Sequence, residues 1–213
     1  GIVEYLQQRG FRNLVILEGS WVGDRTAEAV KVCGYDRLCQ KYGIEFWDTQ
    51  KEKGIQKDCA GMSLKICRCV EKLDFLINVP VWKGHCQTKI TCALKNLKGL
   101  IPNSEKRRFH SLGLHNPIAH LNGGIRQDFI VVDHICGDLD FEDGGNPVVC
   151  DQILTARDPV LCDAYVCEKM HYRQEEVPYI QLAQSLGVGS ADLTTLSVQE
   201  CQTGREDREL PRE

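Results

Sequence analysis

The sequence lacks the short motifs that identify the common nucleotide-binding and hydrolytic enzymes. Its 213 residues contain no G-x-x-x-x-G-K-[ST] phosphate loop, no G-x-G-x-x-G fingerprint, no G-x-S-x-G elbow and no H-E-x-x-H pair. They also contain no apolar run near the roughly 20 residues that a membrane-spanning helix requires. The net charge of −4 argues against a general nucleic-acid binder. We therefore expect neither a membrane nor a nucleic acid as a partner.

Cysteine occurs twelve times, but its spacing matches no standard metal or cluster motif. Cys67 and Cys69 form a single close pair, and no run of four cysteines is present. The sequence therefore does not predict an iron–sulfur cluster in this chain. A chain of this length has no need of a disulfide scaffold, so we expect free thiols and a reducing compartment, the cytoplasm.

The first residues, Gly1 to Leu6, contain neither an initiator methionine nor a basic stretch before an apolar run. They begin inside an amphipathic pattern. We interpret the sequence as starting within a longer protein, with no secretory signal visible.

Segments with strand periodicity alternate with segments of helical periodicity along the chain. Predicted buried strands include Leu14 to Leu17, Phe75 to Val79 and Phe129 to Val132, and predicted helices include Thr88 to Leu97 and Pro159 to Met170. This alternation predicts an α/β fold with a mostly parallel, doubly wound sheet and helices on both faces. We expect one domain over residues 1–199 and a charged, solvated tail over 200–213.

In such folds, ligands bind beyond the carboxyl ends of the strands. The loops after Leu17, Val79 and Val132 are therefore the predicted ligand-binding loops.

Charge is distributed unevenly across the second half of the chain. Residues 83–126 hold eight Lys or Arg against the single acid Glu105, whereas residues 127–150 hold six acids and no Lys or Arg. Two readings remain open. The blocks either form an anion site beside a cation site, or they are two solvated faces that attract one another.

Within the basic block, Lys83 and His85 share one face of an extended segment just beyond a predicted strand. Lys95 and Lys98 lie three residues apart on a predicted helix, so their ammonium groups repel unless an anion lies between them. Two lysines and a histidine can clamp a carboxylate or phosphate and can serve as acid or base. The alternative is a surface lysine beside a core histidine.

The acidic residues offer possible ligands for a divalent cation. Asp163 lies inside an apolar helix, where an unpaired carboxylate is costly, and is therefore expected to be buried and paired. Asp158 precedes Pro159, which is also the ordinary pattern of a helix cap. The run from Asp138 to Val149 does not fit a calcium-binding loop, because Asp143 replaces the glycine and Val149 the glutamate that the loop requires.

Several motifs resemble, in order, those of the family known as domain of unknown function 362. They are the segment Ile77 to His85, the helix end Ala93 to Pro102, Phe109-His110, Val131 to Asp133, Glu142 to Pro147, Asp158 to Ala164 and Gly187 to Gly189. The resemblance implies an α/β fold and an association with iron–sulfur proteins, because family members are often fused to ferredoxin-like modules. This chain lacks the cluster-binding cysteine run, and it begins after the point where the family's first strand would lie.

Together, the residues and the resemblance predict an uncharacterised, enzyme-like protein that binds a small anionic substrate. We expect it to belong to an anaerobic or iron–sulfur-rich metabolism. The predicted catalytic residues are Lys83, His85, Lys95 and His110; Asn96, Lys98 and Asp133 are predicted to bind substrate; and Glu142, Asp158 and Asp163 are candidate ligands of a divalent metal. The alternative is a non-catalytic redox or interaction module that docks a ferredoxin-type domain. A recessed site would favour the first hypothesis, and a flat basic surface the second.

Overall fold

The computed structural model of the protein describes residues 1–142 and 144–202. Its helices are α1 Ile2–Gln8, α2 Thr26–Val32, α3 Tyr35–Tyr42, α4 Ala93–Asn96, α5 Asn103–Ser111, α6 His115–Gly124, α7 Pro159–Lys169 and α8 Tyr179–Ser185. Its strands are β1 Val15–Glu18, β2 Glu45–Asp48, β3 Gly54–Cys59, β4 Met62–Cys67, β5 Ile77–Asn78, β6 Lys83–His85, β7 Lys89–Thr91, β8 Phe129–Asp138 and β9 Pro147–Ala156. Part of the predicted tail, residues 203–213, lies outside the described residues.

The strands form four small sheets instead of one large sheet. β1 and β2 are parallel, whereas β3–β4 and β6–β7 are antiparallel pairs. The fourth sheet has the order β5-β8-β9, with β8 parallel to β5 and antiparallel to β9. The mixed α/β content agrees with the sequence prediction, but the predicted mostly parallel, doubly wound sheet is wrong. Three of the strand pairs are joined by direct turns, which give antiparallel neighbours, and not by the helical crossovers that parallel strands require.

Two local predictions are also wrong. The predicted helix over Thr88–Leu97 is strand β7 followed by the short helix α4. The alternation over Leu193 to Val198 predicts an edge strand, but the structure has a 3₁₀ turn over Leu193–Thr195 there. In the first case the misleading apolar spacing arose because Ile90, Ala93, Leu94 and Leu97 are all buried, whichever element they occupy.

The hydrophobic core lies between α4, α6, α7 and α8 on one side and β4 and β8 on the other. Leu94, Ile118, Ile130 and Val160 are completely buried there. Residues 1–52, all described, contribute Cys39 alone to the buried apolar residues. The core is therefore built almost entirely from the chain after β2. Within the described part of the chain, no helix has both the length and the apolar character needed to cross a membrane.

The segment after β5 continues alongside β8 and leads into the candidate site. The N–H of Trp82 donates to the carbonyl of Asp133 at 2.9 Å, and Asp133 donates in turn to Pro80 at 2.8 Å. The Trp82 indole stacks on the His134 ring with centroids 3.9 Å apart. These contacts fix the chain just before β6, which begins at Lys83.

Candidate functional site

The β6–β7 hairpin and α4 bring the basic side chains of the candidate site together. Lys83 pairs with Thr91 and His85 with Lys89 in the hairpin, and α4 begins two residues after β7 ends. The β8–β9 connection crosses the hairpin at Gly84. A Cβ at Gly84 would lie 2.5–2.7 Å from backbone atoms of Leu139 and Asp140, so only glycine permits this approach.

His85 is held by the turn that follows it. Its Nδ1 accepts the N–H groups of Gln87 at 3.1 Å and Thr88 at 3.2 Å, so the proton of the neutral ring is on Nε2. Nε2 lies 3.6 Å from Glu142 Oε1. Burial and the charges of Lys95, Lys98 and Lys83 lower the pKa of His85 to about 4, although Glu142 opposes this. The imidazole is therefore neutral at physiological pH.

Glu142 reaches the hairpin from the β8–β9 connection. Its carboxylate accepts the Cys86 N–H at 2.8 Å and the Cys86 thiol at 3.0 Å. Burial favours protonation, but the hydrogen bonds from the Cys86 thiol and N–H outweigh it and lower the pKa of Glu142 to about 2. The Lys83 ammonium donates to the Glu142 backbone carbonyl at 3.4 Å. Glu142 is thus ionised, and its hydrogen bonds to Cys86 attach the β8–β9 connection to the turn of the β6–β7 hairpin.

Lys95 is a nearly buried cation with a neutral partner. Its side chain sits in α4 with the residue only 8% exposed, and its ammonium donates to the Thr91 hydroxyl at 2.8 Å. Among the described residues no carboxylate forms an ion pair with it. Burial, followed by the charges of Lys98 and Lys83, lowers the pKa of Lys95 to about 7.

Lys98 adds a second recessed cation. It lies one turn beyond Lys95, in the 3₁₀ segment Leu97–Leu100 that continues α4. Burial and the charge of Lys106 lower the pKa of Lys98 to about 8. Lys106 itself donates to the carbonyls of Gly19 and Ser20, at 2.8 and 2.7 Å, and so is already engaged with the loop after β1.

A chain of buried amides anchors α4 from behind. Asn96 donates to the Asn78 side-chain oxygen at 2.7 Å, and Asn78 donates to the Ala93 carbonyl at 2.9 Å and to Gln127 at 2.5 Å. Gln127 donates to Asn122 at 2.6 Å, which donates to the Leu94 carbonyl at 2.8 Å. Asn96 is therefore part of the support of the helix that carries Lys95.

A cleft of about 370 Å³ is lined by Gln87, His110, Gly113, Leu114 and His115, whereas Lys83, His85, Lys95 and Lys98 are not among its lining residues. Burial and the charges of Lys98 and Lys95 lower the pKa of His110, which places this ring within electrostatic range of both cations. Gln87 connects the cleft to the hairpin, because it belongs to the turn that holds His85. The cleft is large enough for a small organic anion.

The structure does not bring the remaining predicted residues into this site. Asp133 lies on β8, accepts the Ile135 N–H at 3.0 Å and lines a separate, mainly apolar groove of about 190 Å³. Asp158 caps α7, accepting from Val160 and Leu161 at 2.8 and 3.0 Å, and also accepts from Ser190 at 2.8 Å.

The three predicted metal ligands have three different settings. Glu142 lies with His85 and Cys86, Asp163 lies in the core with Cys92 and Cys162, and Asp158 belongs to neither group. The structure therefore does not bring the three predicted ligands into one group. Asp163 is completely buried, as its apolar helix predicted.

Sequence reasoning missed Cys86, whose thiol donates to Glu142. Its position directly after the Lys-x-His segment was the available signal. Donor atoms of His85, Cys86 and Glu142 lie within 4.8 Å of one another. The protonated Nε2 faces Glu142 and Nδ1 is occupied by two N–H groups, so the ring has no free lone pair to offer a metal.

Comparison with known proteins gives one family. Residues 1–168 match the model of the family described as domain of unknown function (DUF362), which confirms the resemblance seen in the motifs. No curated protein matches the chain significantly.

Proposed function

Since the chain belongs to the DUF362 family, we propose its function from the geometry of the site: it binds a small carboxylate or phosphate between Lys83, Lys95 and Lys98 and acts on it as an enzyme. His85 and His110 flank the bound anion. Asn96 positions α4, which carries Lys95.

The single observation that carries this proposal is the surplus of recessed positive charge. A buried ammonium is costly unless an anion or several hydrogen bonds compensate it. Lys95 has the Thr91 hydroxyl as its one hydrogen-bond acceptor among the described residues, and Lys98 and Lys83 raise the local positive charge further. An anionic ligand that displaces water here would relieve both the desolvation and the repulsion.

The same arrangement supplies acid–base chemistry. A lysine whose pKa is about 7 exists in both protonation states near neutrality, which suits a group that takes a proton from a bound substrate or returns one. Neutral His85 presents its Nε2 proton to Glu142 and so stays oriented while Lys95 changes charge. Lys98, whose pKa is about 8, stays mostly charged near neutrality and balances the anion while Lys95 changes charge.

The rival proposal, a docking face for a ferredoxin-type domain, requires lysines spread over a flat surface. The residues here are recessed: Lys95 is 8% exposed, and the His85 side chain is 13% exposed. A small ligand fits this depth better than a protein surface does. An association with iron–sulfur proteins and a cytoplasmic location complete the proposal; the first rests on the family resemblance and the second on the free thiols.

Calorimetric titration with inorganic phosphate, sulfate and short mono- and dicarboxylates tests the proposal. Lys95→Met should weaken binding about tenfold or more, because it removes a charge-assisted hydrogen bond from a site with little water. Lys65→Met is the matched control, since Lys65 lies exposed on β4. Equal affinities for the parent and both variants, or no binding of any anion, would refute the anion site. Binding of a reduced or oxidised ferredoxin instead would support the rival.

A further inference from the structure

A second cluster of metal-binding side chains lies in the core, behind α4. Cys92, Cys162 and Asp163 are 0%, 3% and 0% exposed, and their donor atoms lie within 4.8 Å of one another. Cys92 directly precedes α4, whereas the other two residues lie side by side in α7. The cluster thus joins two helices that are about 70 residues apart in the sequence.

The carboxylate of Asp163 has no cation beside it. Its oxygens accept the Leu94 N–H at 3.4 and 3.3 Å, which are long hydrogen bonds, and among the described residues no Lys or Arg pairs with it. A completely buried carboxylate without a paired cation is costly. Two neighbouring thiols supply soft donors but no positive charge.

We propose that Cys92, Cys162 and Asp163 bind a zinc ion that ties α4 to α7. Two thiolates and a carboxylate suit Zn²⁺, which accepts sulfur and oxygen donors and has no geometric preference of its own. The site is separate from the anion site, because its three buried ligands form a group distinct from His85, Cys86 and Glu142. Nothing in the proposed function depends on it.

The distances suit the ion. Tetrahedral zinc with Zn–S bonds of about 2.3 Å places two sulfur atoms about 3.8 Å apart. The Cys92 and Cys162 sulfurs lie 4.0 Å apart, so this pair needs a movement of only about 0.2 Å, and the Asp163 oxygen lies within 4.8 Å of both. Three protein ligands leave the fourth position to a water molecule.

The surroundings also suit a metal-bound carboxylate. The Leu94 N–H of α4 donates to Asp163, and the completely buried Tyr179 hydroxyl, which donates to the Ile90 carbonyl at 3.4 Å, lies close to the same carboxylate. Outer hydrogen bonds of this kind orient metal ligands. They also stabilise the net negative charge that two thiolates and a carboxylate leave around a divalent cation.

Metal analysis and cobalt substitution of the whole 213-residue chain test the proposal. The purified protein should contain about one zinc per chain, and added zinc should raise its melting temperature. Cobalt in its place should show the visible bands of tetrahedral coordination and sulfur-to-cobalt charge transfer. Cys162→Ser should lose about half of that charge-transfer intensity, because one of two thiolates is removed.

The controls locate the metal. Cys136→Ser alters an exposed cysteine on β8 and should leave the cobalt spectrum unchanged. If Cys92→Ser does not fold, Cys162→Ser and Asp163→Asn report on the same ion. Loss of the spectrum in Cys86→Ser but not in Cys162→Ser would move the metal to the rim of the anion site and overturn the proposal. A zinc-free protein whose melting temperature ignores zinc, iron with sulfide, or a Cys92–Cys162 disulfide in freshly reduced protein would overturn it equally.

Discussion

Lys95 is the residue whose protonation should follow ligand binding. In the free protein its pKa is about 7, so at pH 8 most molecules carry a neutral amine there. An anion favours the ammonium form and raises this pKa, so binding at pH 8 should take up protons. At pH 6 the lysine is already charged and uptake should be small. Affinity should therefore fall as pH rises from about 7 to 9.

Titrations in buffers of different ionisation enthalpy measure this uptake directly. Lys95→Met should reduce uptake at pH 8 and leave the smaller part that comes from Lys98, whose pKa is about 8. Uptake that is the same in the parent and in Lys95→Met would show that Lys95 does not meet the ligand.

Asp158 should behave as a structural residue. It accepts two N–H groups at the start of α7 and a third from Ser190. Asp158→Ala should lower the free energy of unfolding by about 1–2 kcal/mol and leave zinc and phosphate affinities unchanged. Chemical denaturation measures the first effect. A selective loss of metal binding in a variant of unchanged stability would restore Asp158 as a ligand.

For single residues, the sequence predicts well those site contacts that join residues close together in the chain. Lys83, His85 and Lys95 lie within thirteen residues, and one strand exit and one helix bring them together. Glu142 was a candidate, but its contact with Cys86 joins residues 56 apart and depends on how the β8–β9 connection lies over the hairpin. Local periodicity carries no information on such a contact.

The short length of helix α4 determines where Lys98 lies relative to Lys95 in the candidate site. It ends after four residues, and the chain continues as a 3₁₀ helix over Leu97–Leu100. Residues three apart are nearly eclipsed in a 3₁₀ helix, whereas in an α-helix they are offset. The tightening therefore brings Lys98 closer to alignment with Lys95 than a continued α-helix would. Because the sequence analysis predicted one helix over Thr88–Leu97, it did not predict this alignment of Lys95 with Lys98.

The contact between β6 and the β8–β9 connection should be sensitive to one methyl group. Gly84→Ala places a Cβ against backbone atoms that cannot turn aside, so the connection and Glu142 must move away from His85. We expect a loss of stability of about 1–3 kcal/mol and weaker phosphate binding. Denaturation and calorimetry test this.

Gly145→Ala is the matched control, because the same connection has room there: the nearest atom to an added Cβ is 4.0 Å away. Equal phosphate affinity for both alanine variants would show that the position of Glu142 has no influence on the site.

For the whole molecule, stability should be unequal along the chain. Residues 1–52 bury one apolar side chain, whereas α4, α6, α7 and α8 share a continuous core. Segments with few buried apolar contacts open at lower free energy. Hydrogen exchange should therefore be faster at the amides of β1 and β2 than at those of β8 and α7. Equal protection in all four elements would mean that the first 52 residues unfold only with the core.

The division into four small sheets could not be predicted from the sequence, because the sequence does not show which strands pair. Strand periodicity identifies which residues face a core, but parallel and antiparallel partners bury the same residues. The Ala60-Gly61 turn between β3 and β4 was one local sign of an antiparallel pair, and both residues have positive φ in the structure. The length of β8 and β9, ten residues each, becomes visible only once they pair.

The stacking of Trp82 on His134 gives the protein an optical reporter. Trp82 directly precedes Lys83 and is 6% exposed, whereas Trp21 is 70% exposed and Trp47 is half-buried, so the emission of Trp82 should be the bluest of the three indoles. Any displacement of the hairpin when an anion enters would change the overlap of the Trp82 and His134 rings and thus the quenching of the bluer emission. Occupancy of the site can then be followed in real time without a label on either partner.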